Sequence, residues 1–477
     1  MATLASFDDA AWHLGKIGHL NMYAADRKLF FSRDGIVDQK QFVSDLAVLR
    51  QQLQGAGSLC NLFQDRYQFA LGIVSGLLNK QPIVLPPSLA PEAVRAAMAQ
   101  SPDPVILSNS PEHDALATRV SYDNIAAAPL DHWDYATPLQ GNSTQIRVYS
   151  SGSTKQPKCN VKTWKMLRGG AAITDQIIQG LDALPTEIGL LGTTPHGHMY
   201  GLEATIFATL GFGHCTYRNT IFYPADLEAA VEAASDCGIS KLVLVTSPAH
   251  LRFLEQAILA APEIICVLSA TAPFPQPLAQ KLAARKNLKV MEIYGSTETG
   301  SMALRQTAFE EPWTLSAGFE LRDTPETCLA IAPHLSEPIP LEDQIKRHPD
   351  GRFSLLGRAG DMVSIRGKRS RLAALNAILS EISEISDGVF LHDKRHESDA
   401  LAIAVVPHQD SSLSEDEIRR LLRRHLLRHL DAAFVPKKLL FLSEIPRSPT
   451  GKITRATTLD LLKIAGLKTD LKAQGTN

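Results

Sequence analysis

Short apolar runs alternate with helix-like stretches over the first two-thirds of the chain. Lys241–Thr246 reads KLVLVT and Ile264–Leu268 reads IICVL. Each is a β-branched run followed by a turn signal, and a helical pattern such as Pro277–Ala284 comes next. Apolar runs without polar alternation predict strands covered on both faces. Repeated strand–helix units predict an α/β fold of mostly parallel sheets flanked by helices. Ala70–Leu78, ALGIVSGLL, is the best apolar run. It falls well short of the roughly 18 residues of a membrane span and predicts a buried helix.

The pattern changes near His348. HPDGRFSLLGRAGDMVSIRG is rich in glycine and charge, with strand-like runs between turns and a hairpin turn expected at Asp350-Gly351. A helix from about Leu372 to Ile382, a strand over Leu401–Val406 and a charged helix over Glu415–Leu430 follow. These elements predict a large unit over 1–360 and a small C-terminal α+β unit over 361–477, joined near Asp361.

Composition narrows the function classes. Lys plus Arg is 48 and Asp plus Glu is 50, a net charge of −2, so a basic nucleic-acid surface is not implied. Aromatic residues are 6%, which argues against stacking platforms for single strands. Cys60, Cys159, Cys215, Cys237, Cys266 and Cys328 show no CxxC or zinc-finger spacing, so incidental thiols in a reducing compartment are expected. The start, MATLASFDDAAWHLGK, has acids where a signal peptide has basic residues and no apolar stretch. A cytoplasmic protein without a membrane partner is the expectation.

Four segments carry candidate chemistry. In Gln145–Lys162, QIRVYSSGSTKQPKCNVK, a strand-like run ends in Ser150-Ser151-Gly152-Ser153-Thr154, and Lys158 follows. A hydroxyl-rich turn with a glycine offers N–H and O–H donors to a phosphate, though such a loop is also an ordinary solvated turn. Pro157 and Cys159 stand where a Walker A loop needs Gly and Ser/Thr, which disfavours a P-loop phosphotransferase as a third reading. In VMEIYGSTETG a strand run ends at Tyr294, before Gly295-Ser296-Thr297-Glu298. The ring could stack on a base, Thr297 hold a phosphate and Glu298 a magnesium ion; a strand cap with a surface acid is the alternative. The others are Gly357-Arg358-Ala359-Gly360-Asp361 and PRSPTGKITR, where Gly451 precedes Lys452.

Taken in order, these segments resemble the adenylate-forming superfamily of acyl-CoA synthetases, luciferase-type enzymes and non-ribosomal peptide synthetase adenylation domains. The resemblance spans Gln145 to Arg455; the residues before it carry no matching motif. It implies that SSGSTKQPK is the phosphate loop, that Thr271-Ala272-Pro273 lines the adenine pocket, and that YGSTE is the nucleotide motif with Glu298 on the metal. Asp343, seven residues before the DGR turn, would bind ribose with Arg358. Lys452 would be the catalytic lysine of a mobile C-terminal domain hinged at Asp361. His198, in PHGHMYG, would gate the acid and later the pantetheine.

The implied activity is an ATP- and Mg2+-dependent ligase that makes an acyl adenylate of an aryl or acyl carboxylic acid. It would then pass the acyl group to the thiol of CoA or of an acyl carrier protein. Thr194–Leu202 holds no acid to pair an amino group, which disfavours an amino acid substrate. Departures are Lys155 at a loop glycine, Ala374-Leu375-Asn376 in place of Glu-Ile-Glu, and a short chain, which suggests a carrier-protein partner. The Lys155 departure motivates an alternative, a non-catalytic acyl or nucleotide sensor on the same fold. EIRRLLRRHLLRHL, from Glu417, has leucines at helical spacing opposite Arg and His. It reads as a solvated amphipathic face, or as a docking surface for an acidic carrier.

Overall fold

A computed structural model describes residues 26–124, 143–150, 158–184, 187–325, 327–358, 362–365, 368–379, 381–392, 401–408, 411–436, 438–447, 453 and 455–466. Continuous apolar strands build the larger of its two main sheets. Lys289–Ser296, Ile264–Ser269, Lys241–Thr246, Ile188–Gly192, Cys215–Thr220 and Lys28–Ser32 lie side by side, all parallel. Antiparallel strands close both edges: Gly300–Arg305 and Thr314–Leu315 on one side, Gly35–Asp38 on the other. Side chains fill both faces. Leu242, Leu244 and Val267 point into one buried cluster, and Val243, Val245 and Leu268 into another. That two-sided burial is why these strands lack polar alternation.

The second sheet has five parallel strands, Arg119–Val120, Pro104–Leu107, Ser58–Asn61, Ile83–Leu85 and Ile146–Ser150, with antiparallel Lys158–Lys162 at its edge. Helix Arg66–Leu78 is buried almost throughout, as ALGIVSGLL predicts. Its start is capped by Asp65, whose side chain accepts from the Gln68 N–H. The strand Lys158–Lys162 has no counterpart in the sequence pattern. Its buried positions are Asn160 and Lys162, so no apolar alternation announces it.

Beyond residue 360 the described strands Met362–Ile365 and Lys368–Arg371 precede helix Leu372–Leu379. That helix stops short of Ile382, whose N–H bonds Leu379 O in a closing turn. Strand Leu401–Pro407 lies between Ile385–His392 and Lys438–Phe441. Ile403 and Val405 pack toward helix Glu415–His429, while Ala402 and Ala404 face helix Arg455–Ile464. Arg252, on helix Pro248–Ala260, reaches this C-terminal unit. It donates to Ser386 O at 3.0 Å and pairs with Asp387 at 2.8 Å, a carboxylate shared with Arg447. No described helix is long and apolar enough to cross a membrane.

Candidate active site

The VMEIYGSTETG segment is a β-hairpin. Its first strand runs through Gly295 and Ser296, two residues past Tyr294, and pairs antiparallel with Gly300–Arg305. The tip is therefore Thr297-Glu298-Thr299. Ser296 Oγ accepts from the Glu298 and Thr299 N–H groups, and Thr299 Oγ1 accepts from the Ser296 N–H. This local bonding fixes the turn. Thr297 and Glu298 are half-buried on it.

Lys158 meets this tip from the other sheet. Its Nζ lies 2.6 Å from Glu298 Oε1. Burial pushes the Glu298 carboxyl up, but the Lys158 hydrogen bond and charge outweigh it and hold the group below its usual range. The same bond raises Lys158. Glu298 thus stays anionic on a rigid turn, a donor suited to a hard cation such as Mg2+. Lys162, two residues along the same edge strand, is buried and donates from Nζ to the Glu298 carbonyl at 2.6 Å. Sequence reasoning missed Lys162. Its signal was a lysine at an inward strand position, two residues from Asn160.

Tyr294 and Asp343 also converge. Tyr294 Oη donates to Asp343 Oδ2 at 2.8 Å, while the ring packs against Trp313 and Phe353. Asp343 opens strand Asp343–Arg347, and its register partner on Phe353–Arg358 is Arg358. The hairpin between them turns at Asp350-Gly351, where Gly351 has φ +83°. A side chain is strained there, which is why glycine fits.

Thr271, Ala272 and Pro273 follow strand Ile264–Ser269. Thr271 sits in the left-handed region at φ 78°, a conformation costly for a branched residue. Both ends of the segment are tied down. The Ala270 N–H bonds Thr246 O at 3.3 Å, and the Phe274 N–H donates to Glu292 Oε1 at 2.8 Å. Glu292 is buried and accepts further from Thr307 and Arg305 at 2.6 and 2.7 Å. A buried acid so fully satisfied acts as a strut, holding this segment against the strand that carries Tyr294.

PHGHMYG is held from the N-terminal residues that showed no motif. Arg66 is fully buried and donates to the carbonyls of Gly192, Thr194 and Asn219. Burial lowers it to about 10, so it keeps its charge. His196 Nε2 faces Phe63 O at 2.9 Å, an acceptor only, so that nitrogen carries the proton. Burial and nearby Arg66 push His196 down to about 3, and it stays neutral. His198 is half-exposed at the start of the helix Met199–Gly201.

Glu203, on the π-helical turn Leu202–Phe207, lies beneath the hairpin. Ser301 donates to its Oε2 from N–H and Oγ at 2.9 and 2.8 Å. Burial raises it to about 7 against these bonds and the charge of Lys162. A Cβ on Gly170 would fall 1.8 Å from Glu203 Oε1, so glycine makes room for the carboxyl.

Ser150, Lys158, Thr271, Ala272, Pro273, Tyr294, Gly295, Ser296, Thr297, Glu298, Asp343 and Arg358 are therefore placed, with Arg358 placed by its backbone register. Ser151, Gly152, Ser153, Thr154 and Lys452 lie outside the described residues, as does Asp361.

Residues 82–330, just over half of the chain, match the AMP-binding enzyme family. The chain belongs to that family and is an AMP-forming, ATP-dependent acid–thiol ligase. It is 25% identical over 331 residues to a 4-coumarate–CoA ligase of Cereibacter sphaeroides, covering 68% of this chain and 74% of the relative. A long-chain-fatty-acid–CoA ligase of Mycobacterium tuberculosis is 22% identical over 404 residues, covering 77% and 76%. The fold matches o-succinylbenzoate CoA synthetase of Bacillus subtilis, solved with its acyl-adenylate intermediate. The TM-score is 0.75 and the identity 16%, over 92% of this chain and 96% of that one.

Proposed function

We propose that this ligase activates an aryl or medium acyl carboxylic acid and transfers it to a phosphopantetheine thiol, through the following division of labour. The adenine lies along Thr271-Ala272-Pro273 with Tyr294 stacked on the base. Asp343 and Arg358 bind the ribose. Ser150, Ser151, Gly152, Ser153, Thr154 and Lys158 donate to the phosphates, with Thr297, Gly295 and Ser296 shaping the opposite wall. Magnesium, when bound, neutralises phosphate charge, and Glu298 is the residue to hold it. The carrying observation is the 2.6 Å contact between Lys158 and Glu298, 140 residues apart in sequence, which joins the two phosphate-handling segments.

In the first half-reaction a carboxylate oxygen attacks the α-phosphorus, a C–O–P link forms and the bond to pyrophosphate breaks. Both reactants are anionic, so fixed positive charge is the main catalytic device. Lys158 and Lys452 supply it. In the second, a thiolate sulfur attacks the acyl carbon and AMP leaves. His198 gates the entrance for acid and thiol in turn. Residues 361–477 act as a lid on residues 1–360, turning at Asp361 to exchange Lys452 for the thiol. Free thiols at all six cysteines support a reducing, cytoplasmic setting.

The acceptor is CoA or a carrier protein. Arg423 and Arg424 are exposed on helix Glu415–His429, a basic face suited to an acidic carrier. Nucleic acid and membrane play no part in this scheme. The test is thioester formation over a panel of aryl and acyl carboxylic acids, with CoA and with a phosphopantetheinylated carrier. Turnover of at least one acid supports the reading, and thioester formation with neither acceptor refutes it. If the carrier is the acceptor, reversing Arg423 and Arg424 to Glu weakens its apparent affinity and leaves adenylation intact.

A further inference from the structure

Helix Glu415–His429 has a second face that the acid–thiol chemistry does not use. His425 and His429 are four residues apart, one helical turn, and their rings lie 4.6 Å centroid to centroid. Glu381, in the turn after helix Leu372–Leu379, approaches the same pair, its Oε2 3.4 Å from His425 Nε2. One ligand atom from each of the three residues lies within 4.8 Å of the other two. His425 Nε2 is shut off from solvent and has no hydrogen-bond partner among the described residues. The two imidazoles pack at a tilt of 37°, and His425 Nε2, although beside the Glu381 carboxylate, makes no well-formed hydrogen bond.

From this juxtaposition we propose that Glu381, His425 and His429 form a Zn2+ site that clamps helix Glu415–His429 to the turn after Leu372–Leu379. The donor set is two nitrogens and one carboxylate oxygen, with water completing a tetrahedron. Tetrahedral ligand atoms sit about 3.3 Å apart, given zinc–ligand bonds near 2 Å. The ligand atoms already lie within 4.8 Å of one another, and Glu381 and His429 are exposed, so side-chain rotation is the adjustment that brings them to the tetrahedral spacing. Imidazole donors select zinc over Mg2+, which prefers oxygen and keeps its waters. The site therefore does not compete for the magnesium at Glu298. Arg424 and Arg428 flank the histidines on the helix. Their charge opposes a dication, which makes the Glu381 carboxylate the indispensable third donor.

The test uses the full chain, stripped of metal by a chelator and free of nucleotide, with Cys159→Ser removing the one exposed thiol as a rival ligand. Calorimetric titration with Zn2+ should show one equivalent bound, a rise in melting temperature with added Zn2+, and no heat of binding with Mg2+. Co2+ in place of Zn2+ should give the intense visible bands of a tetrahedral complex. His429→Ala and Glu381→Gln, each checked for native circular dichroism, should weaken Zn2+ by at least about tenfold, the lower bound expected even for loss of an outer-shell partner. They should also lose the cobalt bands. Absence of one-equivalent binding in the parent, or unchanged affinity in both variants, overturns the proposal.

Discussion

Lys158 and Glu298 neutralise each other across the gap between two sheets. That pair is half-exposed, so it adds little to stability. Under the proposed mechanism it pre-places a cation for phosphate and an anion for the metal. Lys158→Ala should therefore leave the melting temperature almost unchanged. It should lower kcat/KM for ATP by about tenfold or more, the worth of one charged hydrogen bond of about 1.5 kcal/mol. Steady-state kinetics beside a melting curve separates the two effects. The residues of this pair were legible in sequence because SSGSTKQPK and YGSTE are local signatures. Lys162 and Glu203 were not, since each acts on residues far along the chain. Lys162 binds a carbonyl 136 positions away, and Glu203 a serine 98 positions away. Nothing local marks such a residue except a charge where the pattern demands an apolar side chain.

At the scale of elements, a π-helical turn packs under a β-hairpin through one carboxyl. Glu203 is raised to about 7 when folded, against an ordinary 4.5. Below pH 4.5 it is neutral in both folded and unfolded chains. Between 4.5 and 7 the unfolded chain releases its proton first, so stability falls as pH rises through this window. Glu203→Gln removes that slope. Urea unfolding at a series of pH values should show the variant gaining on the parent from pH 4.5 to 7, by up to roughly 3 kcal/mol for a fully buried group. A constant difference across the window would mean that Glu203 is charged throughout. The strands Lys241–Thr246 and Ile264–Ser269 were readable because burial on both faces leaves an unbroken apolar signature. The hairpin ending at Arg305 was not, because its tip, Thr297-Glu298-Thr299, lacks a turn pair such as Asn-Gly and is fixed instead by Ser296 and Thr299 hydrogen bonds. Strand Lys158–Lys162 was not legible either, its inward positions being polar.

For the whole molecule, Lys158, at the carboxyl end of the second sheet's parallel strands, meets Glu298 on the hairpin that extends the first sheet, and Tyr294 of that hairpin bonds Asp343. Open α/β sheets bind their ligands at such carboxyl ends. The N-terminal residues supply the scaffold, as Arg66 shows by gripping the backbone before His196. The C-terminal unit touches the rest through Arg252 and Asp387, and Asp387 also holds Arg447, five residues before Lys452. Under the lid mechanism, Lys452→Ala should lose about 10²–10³-fold in adenylate formation, the cost of one charge-stabilising donor. It should retain thiol transfer from preformed adenylate. Equal loss in both half-reactions, assayed separately, would contradict a lid that withdraws its lysine.

Acid-dependent exchange of labelled pyrophosphate into ATP reports directly on whether these separated segments assemble one adenylating site. The parent chain should exchange only when a suitable carboxylic acid and Mg2+ are present, and Glu298→Gln should fall by about 10²–10³-fold. A chain that binds ATP yet exchanges nothing with any acid, or a Glu298→Gln variant as active as the parent, would contradict the account.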